Sequence, residues 1–439
     1  MGENVKKNSE HNSEHNLEHN LERDVEKDVE KNVSNDVTEQ SSPPAADARH
    51  LNTRIVHAGR PDPRVVNGPV FHASTVLFEN YAALKAREAA PLDREHMYYG
   101  RMGTPTTRAL EDAICELDNS VGAVLATSGT ASIASILNCY LSPGDHLLMV
   151  DSVYGPTRKF CVGSLARRGV RTSFYDPLKH ESLESLIDDS TRMIFMESPG
   201  SATFEIQDVP AIVAVAKQHG LLTAIDNTWA TPLLFNPLDF GVDLAMQSGT
   251  KYLNGHADCL FGVTTMRSPE LYTQLHHHTL AHGMHLAPDD ANLALRGLRT
   301  LAVRMGVHDQ GARCVAAWLE KQPRVRRLLH PAWESCPGHA IFERDFQGAN
   351  GLFGMVMRRE TEEALAAFVD ALQLFGVGFS WGGFESLCLP MQATRNLASV
   401  PLAHDEGLVR LHIGLEHPED LIADLAQGFA AMDAVTSSS

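Results

Sequence analysis

Between residues 122 and 266, short apolar runs rich in Val, Leu, Ile and Ala alternate with longer amphipathic stretches. This is the pattern of strands and helices in a mostly parallel sheet. Strands are predicted at 123–127, 146–150, 193–197, 222–226 and 244–247. The segments 131–141, 156–169 and 209–220 read as the helices between them, several ended by Gly or Pro. After Asn292 the LALRGLRTLAVRM run predicts one long helix to about residue 322, leading out of the sheet. A smaller α+β domain should follow, with strands at 351–357, 376–380 and 408–413 and a last helix over 418–432. The fold class is therefore α/β. The boundaries expected are a tail at 1–46, an arm at 47–105, a sheet domain at 106–298 and a C-terminal domain at 299–439.

The first 46 residues have a different rhythm. HNSE-HNLE-HNLE-RDVE-KDVE-KNVS repeats every four residues and ends at a Ser-Ser-Pro-Pro break. An apolar position every fourth residue makes a stripe one side chain wide that drifts around a helix, too narrow to face a core. His11, His15 and His19 share that spacing, but the composition is that of a solvated, disordered appendage. Its deletion should leave activity intact.

Composition narrows the remaining 390 or so residues. The chain has 439 residues, 43% of them hydrophobic, enough for a large core and more than one domain. A formal charge of -18 opposes nucleic-acid binding, which needs a surplus of Lys and Arg. The N-terminus lacks a basic start and apolar block, and no run of about 18 apolar residues occurs, so neither export nor a membrane span is supported and a cytoplasmic protein is expected. Seven dispersed cysteines, never in a C-x-x-C pair, suit reduced thiols.

The candidate chemistry lies at strand ends. Asp226-Asn227-Thr228 closes one apolar strand, and Ser248-Gly249-Thr250-Lys251 follows another. In an open parallel sheet, ligands bind at that edge. A lysine forms an imine only when its amine is neutral, which burial favours. Pyridoxal 5'-phosphate would also need a carboxylate such as Asp226 opposite its ring nitrogen. For the phosphate, Ser128-Gly129-Thr130 stands at a strand-to-helix turn where unpaired N–H groups and the helix dipole favour an anion. Ser248 and Thr250 add hydroxyls, and Tyr99 and Arg101 a phenol and a guanidinium. Singly, each has a plain alternative: S-G-T as a helix cap, Asp226 as a turn residue. Their order along the chain favours the cofactor.

The stretches SGTKYLNGHADCLFG, IDNTWATPLLFNPLDFGVD, YYGRMGTPTTRALE and YGPT resemble the pyridoxal-phosphate family of Cys/Met metabolism enzymes, within the aspartate-aminotransferase fold superfamily. The resemblance runs from about residue 51 to 432. It implies that Lys251 is the imine lysine, that Asp226 pairs with the ring nitrogen, and that Gly129, Thr130, Ser248 and Thr250 cradle the phosphate. Tyr154 would stack on the ring, and Arg410 would bind the substrate carboxylate. Tyr99 and Arg101, in the 47–105 arm, would reach the phosphate of a neighbouring subunit. That implies a dimer with shared sites, and in this family usually a homotetramer of two such dimers. Many members have Met or Ala where Thr130 stands, a difference that a main-chain contact tolerates. Residues 276–287 match the family poorly.

Members of the family differ in which bond they break. FSWGGFESL, which contains Ser380 and Trp381, and ESPGSATFEIQDVPAIV resemble the cystathionine β-lyases; γ-acting relatives usually have Leu in place of Trp381. The resemblance therefore implies β-elimination of a sulfur amino acid, with other cysteine conjugates as further substrates and Ser380 and Trp381 seating them. A γ-lyase or γ-synthase is the nearest alternative. A non-catalytic binding protein would be expected to lose Lys251, Asp226 or Arg410, and all three are present. The histidines of 276–285 lack an H-E-x-x-H pattern, and no metal is expected.

Overall fold

The computed structural model describes residues 49–437 apart from 61, 63, 91, 92, 393, 394, 396, 398 and 399. The repetitive segment read as a disordered tail lies outside them. No helix among the described residues is long and apolar enough to cross a membrane.

Seven strands form the larger sheet: β1 (Gly122–Ala126), β2 (His146–Val150), β3 (Arg171–Tyr175), β4 (Thr191–Glu197), β5 (Leu222–Asp226), β6 (Leu244–Gln247) and β7 (Gly262–Met266). Their order is β1-β7-β6-β5-β4-β2-β3, and only β7 runs against its neighbours. Most of these strands are buried along their whole length, as expected where helices cover both faces of a sheet. The covering helices include α1 (Pro105–Asp118), α2 (Gly129–Tyr140), α3 (Gly155–Phe160), α4 (Val209–Gln218) and α5 (Pro269–Ala281). Because β1, β2, β4, β5 and β6 point the same way, Ser128, Tyr154, Glu197, Asp226 and Ser248 gather at one edge.

The 131–141 and 209–220 helices are present as α2 and α4. The 156–169 segment begins as α3 and then widens into a π turn over Cys161–Leu165. The single helix expected after Asn292 is two: α6 (Pro288–Arg299) and α7 (Leu301–Leu319). The break at Thr300 has a local cause. The Gly297 carbonyl accepts from the Thr300 hydroxyl at 3.1 Å and from Arg304 Nη2 at 2.8 Å, so side chains satisfy an acceptor that a continuous helix would use.

Along α7 the packing changes partner. Leu301 and Met305 belong to the core of the first sheet, and Ala312, Val315 and Leu319 to a second core. That core lies on a four-stranded antiparallel sheet of β8 (Val325–Leu329), β9 (Leu352–Arg358), β10 (Leu387–Met391) and β11 (Glu406–His412), in the order β10-β11-β9-β8. Helices α8 (Glu362–Asp370) and α9 (Pro418–Ser437) cover it. The strand expected at 376–380 does not form; a single bridge joins Gly376 to Leu387. Glycines at 376 and 378 weaken strand pairing there, and Ser380 takes a left-handed φ of 78° that no strand accommodates.

Side chains also tie the two sheets together. Trp229, just beyond β5, donates from Nε1 to the Leu352 carbonyl at 2.9 Å, and Asn350 returns a bond to the Trp229 carbonyl at 2.6 Å.

Candidate active site

The first part of the site is an anion cradle at the start of α2. Ser128 caps this helix: its hydroxyl accepts from Ala131 N at 3.1 Å, and its carbonyl accepts from Ser132 N at 3.0 Å. The amides of Gly129 and Thr130 are left over, at the positive end of the helix dipole. A Cβ on Gly129 would fall 2.6 Å from Ser248 Cβ and 2.8 Å from its hydroxyl, so only glycine lets the helix end approach the β6 turn this closely. Thr130 is exposed beside it, and Ser248 is half-buried.

Thr228 links this cradle to Asp226. Its hydroxyl accepts from Ser248 N at 2.8 Å and bonds to Asp226 Oδ1, which also accepts from Thr228 N at 3.0 Å. Burial raises the Asp226 carboxyl above its ordinary value, and Thr228 and Lys251 oppose that rise. Directly across the parallel pair, Glu197 ends β4 as Asp226 ends β5. Glu197 is pushed up to about 8 by burial and then by the Asp226 charge. Two buried carboxyls that feel each other's charge favour one of them keeping its proton over both being ionised. Glu197 also accepts from Tyr154 N at 2.7 Å. The Tyr154 ring is left 44% exposed on the site edge, and burial, Glu197 and Asp226 together raise its phenol.

Lys251 lies within the turn after β6, and its main chain is pinned at both ends. Lys251 N donates to the Ser248 carbonyl at 3.1 Å, and the Lys251 carbonyl accepts from Gly255 N at 2.7 Å. Its amine is pulled down to about 8 by burial, then by the Arg410 charge, with Asp226 opposing. The amine donates to Ser380 Oγ at 2.6 Å and lies 5.5 Å from the centre of the Trp381 ring. Arg410, on β11, donates from Nη2 to the Ser380 carbonyl at 2.9 Å. Thus Lys251, Asp226, Tyr154, Ser380, Trp381 and Arg410, spread over 257 positions or so, form one electrostatic neighbourhood around an amine that is partly neutral near pH 8.

Other expected site residues sit differently. The Thr250 hydroxyl donates to the Phe261 carbonyl at 3.2 Å and accepts from Phe261 N at 3.1 Å, so it braces the lysine turn against the start of β7. Arg101 donates to the Leu280 carbonyl at 2.7 Å near the end of α5, and Tyr99 is 42% exposed; neither bonds to Lys251, Ser248 or Gly129 of its own chain. In the histidine tract, His282 bonds to the His278 carbonyl at 2.8 Å. Among the described residues, three ligand atoms converge only at Asp93, Glu95 and His96, where Arg87 already pairs with Asp93.

Sequence reasoning passed over Glu197 and His412. Both had a signal. Glu197 ends an apolar run as Asp226 does, and His412 stands two residues beyond Arg410, on the same face of a strand.

The donor set fits pyridoxal 5'-phosphate. Unused amides and a glycine-only cradle suit its phosphate, a buried carboxylate its ring nitrogen, and a lysine of depressed pKa its aldehyde. This combination, at the C-terminal edge of a mostly parallel sheet, defines a pyridoxal-phosphate-dependent enzyme. Residues 52–430 match the family described as Cys/Met metabolism PLP-dependent enzyme, and the chain belongs to that family. A cystathionine beta-lyase from Escherichia coli is 40% identical over 391 residues, 87% of this chain and 98% of its own. An L-alanine/L-glutamate racemase from Wolbachia pipientis is 38% identical over 84% of this chain and 93% of its own. The crystal structure of cystathionine gamma synthase from Xanthomonas oryzae in complex with cystathionine superposes with a TM-score of 0.79 at 32% identity, over 88% of this chain and 100% of that one.

Proposed function

We propose that the protein is a cystathionine β-lyase, cleaving L-cystathionine with water into homocysteine, pyruvate and ammonia, and that other cysteine S-conjugates are further substrates. The observation that carries this reading is the tethered amine: Lys251 Nζ is bonded to Ser380 Oγ under the Trp381 ring. In β-elimination one amine need serve only the substrate Cα and, two bonds away, the sulfur on Cβ. A γ-elimination would ask the same amine to reach one carbon farther, and the tether disfavours that. Similarity to a named β-lyase over nearly its full length supports the same choice.

In this reading Lys251 would hold the cofactor through its aldehyde, Asp226 would face the ring nitrogen, and Tyr154 the ring. Gly129, Thr130 and Ser248 would surround the phosphate, with Thr250 beside them exchanging its bonds to Phe261 for one to the anion or bracing the turn as it stands. When bound, the cofactor supplies an electron-accepting ring that stabilises negative charge at the substrate Cα. Arg410 binds the substrate carboxylate and Trp381 covers its side chain. Freed by the incoming substrate amine, Lys251 Nζ takes the Cα proton and returns it to the departing sulfur. Tyr154 is the less available base near neutral pH, because its raised phenol keeps its proton while the lysine is lowered to about 8.

Tyr99 and Arg101 would complete the phosphate site of a neighbouring subunit, making a dimer the smallest active unit and a dimer of dimers the expected assembly. Mixing Arg101→Ala with Lys251→Ala protein tests this, since hybrid dimers should recover one intact site. The reaction is tested with pure protein and cystathionine. Pyruvate with homocysteine supports the reading; 2-oxobutyrate with cysteine would replace it by γ-cleavage.

A further inference from the structure

We propose that His412 is a positioning residue for this reaction: its imidazole fixes the Ser380–Gly383 turn against Lys251 and thereby sets the place of Ser380 and Trp381. The inference rests on Lys251 being the amine that holds the cofactor.

The turn needs external support. Ser380 is in the left-handed region with φ 78°, which a residue with a side chain adopts only where its surroundings impose it. Two residues on, Gly382 has φ 86°, and a Cβ there would come within 3.0 Å of the Lys251 carbonyl carbon and of Tyr252 N. The turn is therefore pressed onto the main chain of the lysine itself.

Strand β11 holds it at two points. Val409 and Leu411 face the second core, so Arg410 and His412 alternate onto the opposite face, toward the turn. Arg410 bonds to the Ser380 carbonyl at 2.9 Å. His412 Nε2 lies 3.2 Å from Gly382 N and 3.0 Å from the Gly383 carbonyl. One tautomer accepts from the first, and the other donates to the second; either holds the turn. The ring is fully buried and its Nδ1 has no partner, so among the described residues its only hydrogen bonds go to this turn. A buried ring with one nitrogen unsatisfied carries a desolvation cost, which the bonds of its other nitrogen to the turn help to offset.

The remaining neighbours fix the ring's angle and charge. Tyr252 neighbours both His412 and Trp381, with ring centres 6.0 Å and 5.4 Å away, and His308 lies 5.3 Å from His412. The charged or titratable groups facing His412 are Tyr252, His308, Arg410 and Lys251, and burial keeps the imidazole neutral. It acts as a fixed strut and not as a pH switch.

The test compares His412→Leu with His412→Gln, whose amide reaches the place of Nε2 and can accept or donate. Loosening the turn admits water to Lys251. In His412→Leu, pyridoxal 5'-phosphate capture by cofactor-free protein should then titrate at higher pH than in the unaltered protein. The holoenzyme should show a raised KM and a loss of kcat/KM on the order of tenfold or more, the scale of a small misplacement in a site. His412→Gln should restore both. If His412→Leu does not fold, His412→Asn, too short to reach, should show the same shift in a folded protein. A folded Leu or Asn variant with unaltered titration and KM overturns the proposal, as does a Gln variant that fails to restore them. Lys251→Ala keeps the two readings apart. If borohydride still fixes cofactor to that protein, the reading of Lys251 is wrong; if it fixes none while His412→Leu behaves normally, only this inference falls.

Discussion

Lys251 and Ser380, 129 residues apart in sequence, are joined by a 2.6 Å hydrogen bond from Nζ to Oγ. The lysine belongs to the edge of the first sheet and the serine to a turn held by the second. The amine is thus both buried and aimed, and its aim depends on two separate cores.

Replacing the lysine tests the centre of this arrangement. Lys251→Ala, freed of unbound pyridoxal 5'-phosphate, should show no imine absorbance and no turnover, while its melting temperature stays close to that of the cofactor-free parent. A yellow protein with residual lyase activity would show that another amine does the work.

The depressed amine predicts a pH dependence. In cofactor-free protein the rate of cofactor capture should rise as pH passes through about 8, where Lys251 loses its proton. The stability sign follows from the same shift. Between about 8 and the ordinary lysine value of 10.5 the unfolded chain binds more protons than the native one, so this group's contribution to stability grows with pH across that window. A capture rate that stays flat from pH 6 to 9 would contradict the burial argument.

Filling the cradle should weaken the cofactor more than the fold. Gly129→Ala places a methyl 2.6 Å from Ser248 Cβ, and overpacking of this kind costs about 1–3 kcal/mol. The expected result is weaker cofactor binding, read as the dissociation constant for pyridoxal 5'-phosphate, with far-UV circular dichroism unchanged. Equal affinity in the variant would place the phosphate elsewhere.

Glu197 should make the cofactor-free protein less stable as pH rises. Its carboxyl is raised from 4.5 to about 8, so the native state holds a proton that the unfolded chain releases. Stability from this group is complete below about 4.5 and is lost as pH climbs through about 8, on the order of a kcal/mol or more. Glu197→Gln cannot titrate. Thermal melts from pH 5 to 8 should be flatter for the variant than for the parent, and parallel curves would remove the argument.

Much of this was readable from the order of residues alone. Strands β2, β5 and β6 lie at the predicted positions, because a strand buried on both faces leaves an uninterrupted apolar run. Strand β3 was missed for the converse reason: RTSFY sits at the sheet edge, and its polar, partly exposed side chains carry no such run. Lys251 and Asp226 were visible through their order along the chain, since singly each has a plain alternative. His412 was passed over: its spacing from Arg410 puts it on the same strand face, but the turn which that face meets is contributed by a distant part of the chain. The 376–380 segment misled through its apolar residues. Its conformation is dictated by Lys251 and β11, partners that local sequence does not name.

One consequence of the alternation along β11 concerns anyone who wishes to alter this protein. Val409 and Leu411 have no atom in the site, yet they fix the strand from which Arg410 and His412 hang. Repacking beneath them would shift the turn, and with it the aim of the lysine, well before the chain unfolded. The inner face of the small sheet is therefore an adjustment screw for the chemistry, and variants there are better sorted by turnover than by melting temperature.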